Sequence, residues 1–244
     1  MSLEVFRRYW PNAGAGSDGI PGIFYSFTIA DAEFFMLDNR YYRDPNEAPD
    51  RQTMFGKEQL KWLRDGLRTS NATFKVVASG GTVLAEGTKF ENWQHFGSER
   101  DDFLAWMFAE GVAGVFFLAG DWHVGTVNRL YRPQDGYPLT EFISSNTSID
   151  FLRFNTEEPG DVSPKYDRPE GSVFGGVNYG ALHFSGPENE RTVTFRVIDR
   201  KGLVRIEESL HANELTTRGH VDLFDIDTNS GSVHEISDGE KTEN

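Results

Sequence analysis

The chain has 244 residues, 25% of them charged and 38% hydrophobic, enough to bury a core as one large domain or as a domain with an appendage. Its net charge of −14 repels nucleic acid and anionic membranes, so no nucleic-acid-binding surface is expected, and a small anionic ligand binds only where local cations overcome that field. With no cysteine, disulfides, thiolate zinc sites and a cysteine nucleophile are excluded, and no apolar stretch approaches the ~20 residues of a membrane span.

Residues 1–22 open with a short helical piece, LEVFRRYW, which lacks the apolar core of a signal peptide, and run into the turn-rich PNAGAGSDGIPG. Phe24, Ser26 and Thr28 then alternate with Tyr25, Phe27 and Ile29, and the nearly all-apolar run 34–37 follows a short turn. That pattern predicts a β-hairpin whose second strand is central in a sheet. The second strand empties into Asp38, Asn39, Arg40, Tyr41, Tyr42 and Arg43. In α/β sheets the loops beyond strand C-termini hold ligands, so Asp38 and Arg40 fit either a ligand contact or a mutual loop brace.

After a Pro- and Asp-rich loop at 44–55, residues 56–67 predict a helix with Leu60, Leu63 and Leu67 on one face and Trp62 beside them. Residues 73–78 predict a buried strand that ends in Ser79, Gly80 and Gly81, where the glycine pair either admits a ligand to the backbone or merely turns. The stretch 86–98 predicts a loop carrying Trp93 and His95, with His95 a weak candidate. A second amphipathic helix is expected over 99–111, and an apolar strand over 112–119. Two helix-then-strand units in succession argue for parallel neighbours.

That apolar strand stops at Gly120 and is followed by Asp121 and His123. Residues i and i+2 at a strand end share a side of the backbone, so both can face one ion, and an Asp with a His suits zinc, iron or manganese. The same pair also fits a structural role, His123 bonding Asp121 to cap the strand. Further strands are expected at 126–131, with Arg129 and Arg132 nearby, and at 139–148, followed by a surface loop at 155–172. Antiparallel strands at 179–184, 192–199 and 203–210 complete the regular part, the last two joined by the turn Asp199, Arg200, Lys201 and Gly202. Past Asn213 the apolar pattern weakens and SDGEKTEN is expected to be a disordered tail. A domain over 1–215 and an extension over 216–244 are therefore expected.

Several of these segments match a known family in order. AEFFMLDNRYYR is similar to a strand followed by L-D-x-R-x-Y-R, TMFGKEQLKWLRDGL to a G-x-x-Q-x-x-W-L helix, and SNATFKVVASG to its following strand. NWQHFGSERDDFLAWM is similar to W-x-x-Y-x-x-E-R plus a helix, GVFFLAGDWH to V-V-F-L-S-G-D-x-H, and NYGALHF and TFRVIDRKGLVRIEESL to closing strands. Together they resemble the C-terminal half of the PhoD-like alkaline phosphatase/phosphodiesterase family, a branch of the calcineurin-like dinuclear metallophosphoesterases. The resemblance implies an α/β (α+β) fold, the C-terminal part of a β-sandwich flanked by helices. It also implies hydrolysis of phosphate mono- or diesters at a dinuclear centre of Fe, Mn, Zn or Ca, where two cations polarise the phosphoryl oxygens and activate a bridging water.

By the same resemblance His123 is a metal ligand, and Asp121 is a ligand or holds His123 in its working tautomer. Arg40 lies near the phosphate, supported by Asp38 and Tyr42, and the setting is the bacterial periplasm or exterior. Two positions depart from the pattern: Phe96 stands in place of the usual Tyr, and Gln94 where some members have Asp. The family's early Asp, G-D-Y and D-D-H-E segments, which supply most metal ligands, are missing here. The expectations are then an incomplete site, a separate N-terminal half as partner, and an apolar sheet face exposed where strands are lacking. A non-catalytic remnant or a phosphate-binding module is the alternative.

Overall fold

In a computed structural model, which describes residues 2–12, 16–17, 19–45, 53–85, 92–130, 137–148, 166–167, 169 and 171–216, the opening helical piece is α1 (Ser2–Tyr9). The hairpin is β1 (Tyr25–Ile29) and β2 (Ala32–Met36), followed by α2 (Gly56–Thr69), β3 (Phe74–Ser79), α3 (Gly97–Ala109) and β4 (Val115–Ala119). The chain continues through β5 (Gly125–Leu130), β6 (Leu139–Ser144), β7 (Tyr166–Asp167) and β8 (Val173–Phe174). It closes on β9 (Asn178–Ser185), β10 (Thr192–Asp199) and β11 (Val204–His211).

The large sheet runs β1-β2-β3-β4-β6-β5-β7, with β8 also beside β5, and the small sheet runs β11-β10-β9. The strands at the centre of the large sheet are parallel: β2, β3, β4 and β6 all run the same way. Both faces of the sheet's centre are covered, which is why β3 is buried at all six positions. One face meets the helices, where Phe35 lies 5.9 Å from the Trp62 ring of α2. The predicted stripe of Leu60, Leu63 and Leu67 is buried against the sheet. The other face meets the small sheet, and the stacked pair Phe142 and Phe195, 4.6 Å apart, joins the two layers. Such a pair adds about 0.5–1.5 kcal/mol to the burial of its rings. Beside it the sheets approach so closely that a Cβ on Gly125 would sit 2.6 Å from Val197 Cγ1. This is a helix-flanked two-layer α/β sandwich, the expected class.

Several predicted boundaries shift. The strand expected at 112–119 begins only at Val115, because Gly114 takes φ 76° and its N–H goes to the Leu215 carbonyl. The helix expected over 99–111 starts two residues earlier and ends at Ala109. Trp93 and His95 lie in a 3₁₀ turn, Trp93–Phe96, rather than in a loop, with Trp93 wholly buried. The strand expected at 139–148 stops at Ser144, and within the expected surface loop at 155–172 Tyr166–Asp167 pairs with β5. Most of that loop, Arg132 and the tail SDGEKTEN lie outside the described residues.

Ion pairs tie the layers at their rims. Arg191 grips Asp31 with Nε and NH2 at 2.7 and 2.6 Å, and Arg129 of β5 pairs with Glu208 of β11. The guanidinium holds the Asp31 carboxyl below its ordinary value of 3.8. A depressed carboxylate stabilises the fold above its unfolded value and loses that contribution as the pH falls through the folded one. Asp31→Asn is expected to cost about 1 kcal/mol at pH 7 and progressively less below about pH 4, read as the difference between urea midpoints. A difference that persists unchanged in acid would refute this.

Candidate functional site

The registers Met36 with Ala78 and Ser79 with Ala119 bring the C-terminal ends of β2, β3 and β4 level, so their following loops emerge side by side. Between them is a cleft of about 240 Å³. Asp38, Asn39 and Arg40 line it from the loop after β2, Gly80 and Gly81 from the loop after β3, and Asp121 from the loop after β4. Ile23, Leu37 and Met54 supply its apolar wall. Crevices beyond parallel strand ends are where such sheets hold ligands.

Each loop is held from behind. Asp38, 3% exposed, accepts the backbone N–H of Arg40 and Tyr41 on Oδ1 at 2.9 and 3.0 Å, and that of Ile23 on Oδ2 at 2.9 Å. Its carboxylate is thus a brace that curls the loop whose Arg40 lines the cleft. Gln59 of α2, wholly buried, accepts from Asp38 N–H at 2.7 Å and donates to the Asp38 and Phe55 carbonyls at 3.0 and 3.1 Å. Asn39 straps the first loop to the second, donating to Ser79 Oγ at 2.9 Å and accepting Gly80 N–H at 3.0 Å. Glu99 holds the Met54 wall by accepting the N–H groups of Met54 and Phe55 and the indole N–H of Trp93.

Tyr42 does not line the cleft. Its hydroxyl donates to the Pro21 carbonyl at 2.6 Å, and burial pushes its phenol above the ordinary value. A Cβ on Gly56, which has φ 75°, would lie 2.7 Å from Tyr42 Cβ, so glycine is required there at the start of α2. Tyr42 therefore anchors the loop carrying Arg40, a supporting place rather than a contact with a ligand in the cleft.

Asp121 and His123 are not on a strand. β4 ends at Ala119, and both residues take left-handed backbone, φ 57° and 58°, and are exposed. The alternation that was to put them on one side of a strand does not apply. Asp121 reaches the cleft, whereas His123 is not among the residues that line it. Two non-glycine residues in this conformation so close together cost about 1–2 kcal/mol each, a strain that clusters at ligand sites. Among the described residues no three His, Asp or Glu side chains gather as a metal cluster.

Of the residues behind the cleft, Gln59 and Glu99 were not singled out as functional by sequence. Their signal was nonetheless present, since they are the polar letters of the G-x-x-Q-x-x-W-L and W-x-x-Y-x-x-E-R patterns. Asn39 carried no signal beyond its place in a polar cluster.

A cleft at parallel strand ends, polar on three loops and backed by a buried hydrogen-bonded frame, marks the candidate site of this α/β sandwich. The family model of the PhoD-like phosphatases matches residues 3–234, and the chain belongs to that family. Alkaline phosphatase D of Bacillus subtilis (strain 168) is 27% identical over 120 residues, which are 41% of this chain and 21% of that protein. A solved structure of PhoD matches with a TM-score of 0.60 at 17% identity, over 89% of this chain and 48% of that one. The chain thus spans about half the length of the PhoD structure it matches.

Proposed function

We propose that this chain carries the phosphate-contacting loops and the last metal ligands of a metal-dependent phosphoesterase whose remaining ligands come from polypeptide outside it. The observation that carries this reading is the convergence of Arg40, the Gly80–Gly81 backbone and Asp121 in one cleft beyond three parallel strands. Arg40 is the cation that offsets the chain's net charge of −14 locally, as capture of an anionic phosphoryl group requires. Asp38, Asn39 and Tyr42 keep its loop in place, and the two glycines leave room for a phosphoryl oxygen against the backbone.

Asp121 and His123 are oxygen and nitrogen donors of the type that hold zinc, iron or manganese. Two donors fall short of the three or four protein ligands that a bound ion needs, so the described residues alone do not fit a dinuclear centre. Bound metal would supply Lewis acidity and an activated water in the family's chemistry. The proposed substrate class is phosphate mono- or diesters. The proposed partner is an N-terminal half, continuous with this chain or separate, and the proposed setting is the bacterial periplasm or exterior.

The isolated chain is expected to hydrolyse chromogenic phosphate mono- and diesters at close to the background rate with added manganese, iron, calcium or zinc. Robust turnover that disappears in Asp121→Asn and His123→Ala would overturn the idea that ligands are missing. Arg40→Ala is expected to weaken inorganic phosphate binding to the completed protein by about 1.5–3 kcal/mol, the range of a hydrogen bond to a charged group, measured by calorimetry. Unchanged affinity would remove Arg40 from the site. The alternative is a non-catalytic remnant or a phosphate-binding module without turnover. It predicts phosphate binding that persists without metal.

A further inference from the structure

A cleft that takes a phosphoryl group needs several hydrogen-bond donors, because the group presents several strong acceptor oxygens. Arg40 is the one cation among the residues lining the cleft, and the backbone of Gly80 and Gly81 is the obvious second source. Neither glycine N–H is available. Gly80 N–H donates to Asn39 Oδ1 at 3.0 Å, and Gly81 N–H to Ser79 Oγ at 3.3 Å. The backbone N–H groups of Arg40 and Tyr41 are spent on Asp38 in the same way. The glycine pair therefore gives a ligand room but no donor.

Asn39 is placed differently. It lines the cleft between Asp38 and Arg40 and is only partly buried. The Gly80 N–H fixes which way its amide faces: the oxygen must meet that donor, since the opposite orientation would set two N–H groups against each other. The nitrogen then has two hydrogens to place. One goes to Ser79 Oγ at 2.9 Å, and among the described residues the other has no partner. Asn39 and Gly80 both line the cleft, and a Cβ on Gly80 would lie 3.5 Å from Asn39 Oδ1 and 3.9 Å from Nδ2. A side chain at position 80 would crowd the amide, and glycine leaves that approach open. In the pattern L-D-x-R-x-Y-R Asn39 occupies the first variable position, so this donor belongs to this chain and not to the motif.

We infer that Asn39 is a further ligand-contacting residue, its second Nδ2 hydrogen donating to a phosphoryl oxygen beside Arg40. The strap between the two loops thus has a second function. By fixing Oδ1 and one hydrogen of the amide, it holds the other hydrogen in place before a ligand arrives, which lowers the ordering cost of binding. A charged and a neutral donor on adjacent residues then share one phosphoryl group. The inference rests on the reading that the cleft takes such a group.

The test titrates the whole chain, labelled with nitrogen-15, with inorganic phosphate at constant ionic strength and without added metal. The two Nδ2 hydrogens of Asn39 give separate signals. One is expected to move downfield as phosphate binds, while the other, held on Ser79, moves far less. Asn39→Ala is expected to weaken phosphate binding about tenfold, the scale of one hydrogen bond to a charged group. Ser79→Ala releases the strap but keeps both amide hydrogens, so its loss is expected to stay below about threefold. A loss in Ser79→Ala as large as that in Asn39→Ala assigns Asn39 to the strap alone and overturns the inference. So does phosphate binding that depends on Arg40 but moves neither Asn39 hydrogen. Absence of phosphate binding sinks the reading of the cleft and the donor with it. An Asn39 signal that moves although Arg40→Ala binds phosphate as before removes Arg40 from the site and leaves the donor standing.

Discussion

Glu141→Ala is expected to cost about 3–5 kcal/mol, because it strips the partner from several buried donors at about 1 kcal/mol or more each. Glu141 lies on the central strand β6 and is wholly buried. Its carboxylate accepts the consecutive backbone N–H groups of Val83, Leu84 and Ala85 and the amide of Asn128. Burial pushes its carboxyl above the ordinary range, against the pull of those four donors. The three N–H groups belong to the segment that leaves the cleft through Gly80 and Gly81, so their loss frees the glycine floor as well as the core. Glu141→Gln keeps one acceptor oxygen and is expected to lose about 1–3 kcal/mol. Urea unfolding separates the two variants, and a loss below about 1 kcal/mol in Glu141→Ala would show that the loop finds other partners. With total stability of about 5–15 kcal/mol typical of such domains, the alanine variant stands near the limit of folding.

The second large effect is expected at Asp121 and His123, in the protein with its site completed. If His123 is a metal ligand, His123→Asn lowers bound metal and turnover by well over 100-fold. Asparagine is the informative replacement because its side chain tolerates left-handed backbone, so the turn at φ 58° survives and the loss reports on the imidazole. Asp121→Asn distinguishes two roles by its size. A carboxylate that only fixes the tautomer of His123 costs about 10–100-fold on removal, whereas a direct ligand costs more and lowers metal content. Both variants retaining metal and rate would assign the strained turn a purely structural part. Their stabilities should match the unmutated chain within about 0.5 kcal/mol, since both positions are exposed.

The family's segments were legible along the chain because each carries a local constraint. The period of Leu60, Leu63 and Leu67 is that of a helix, the apolar runs that contain Phe34 and Val115 belong to parallel strands of the large sheet, and Gly202 ends a hairpin at φ 81°. The polar cluster at 38–43 was legible as a place for ligands, but its division of labour was not. Nothing in the order of letters says that Asp38 spends its oxygens on three backbone N–H groups while Arg40 lines the cleft, because those partners include Ile23 and, through Gln59, the next helix.

What the sequence determined by itself was therefore the class of fold, most of its regular segments and the family, all written in short-range periodicity and in motifs of neighbouring residues. The tertiary structure alone decided which loops meet. Parallel register levels the ends of β2, β3 and β4 and so gathers Arg40, Gly80, Gly81 and Asp121, residues up to 81 positions apart, into one cleft. It also decided that Asp121 and His123 leave the strand on left-handed backbone. These features depend on pairings between distant segments and on the sign of φ at single residues, which local patterns of apolar and polar letters do not encode.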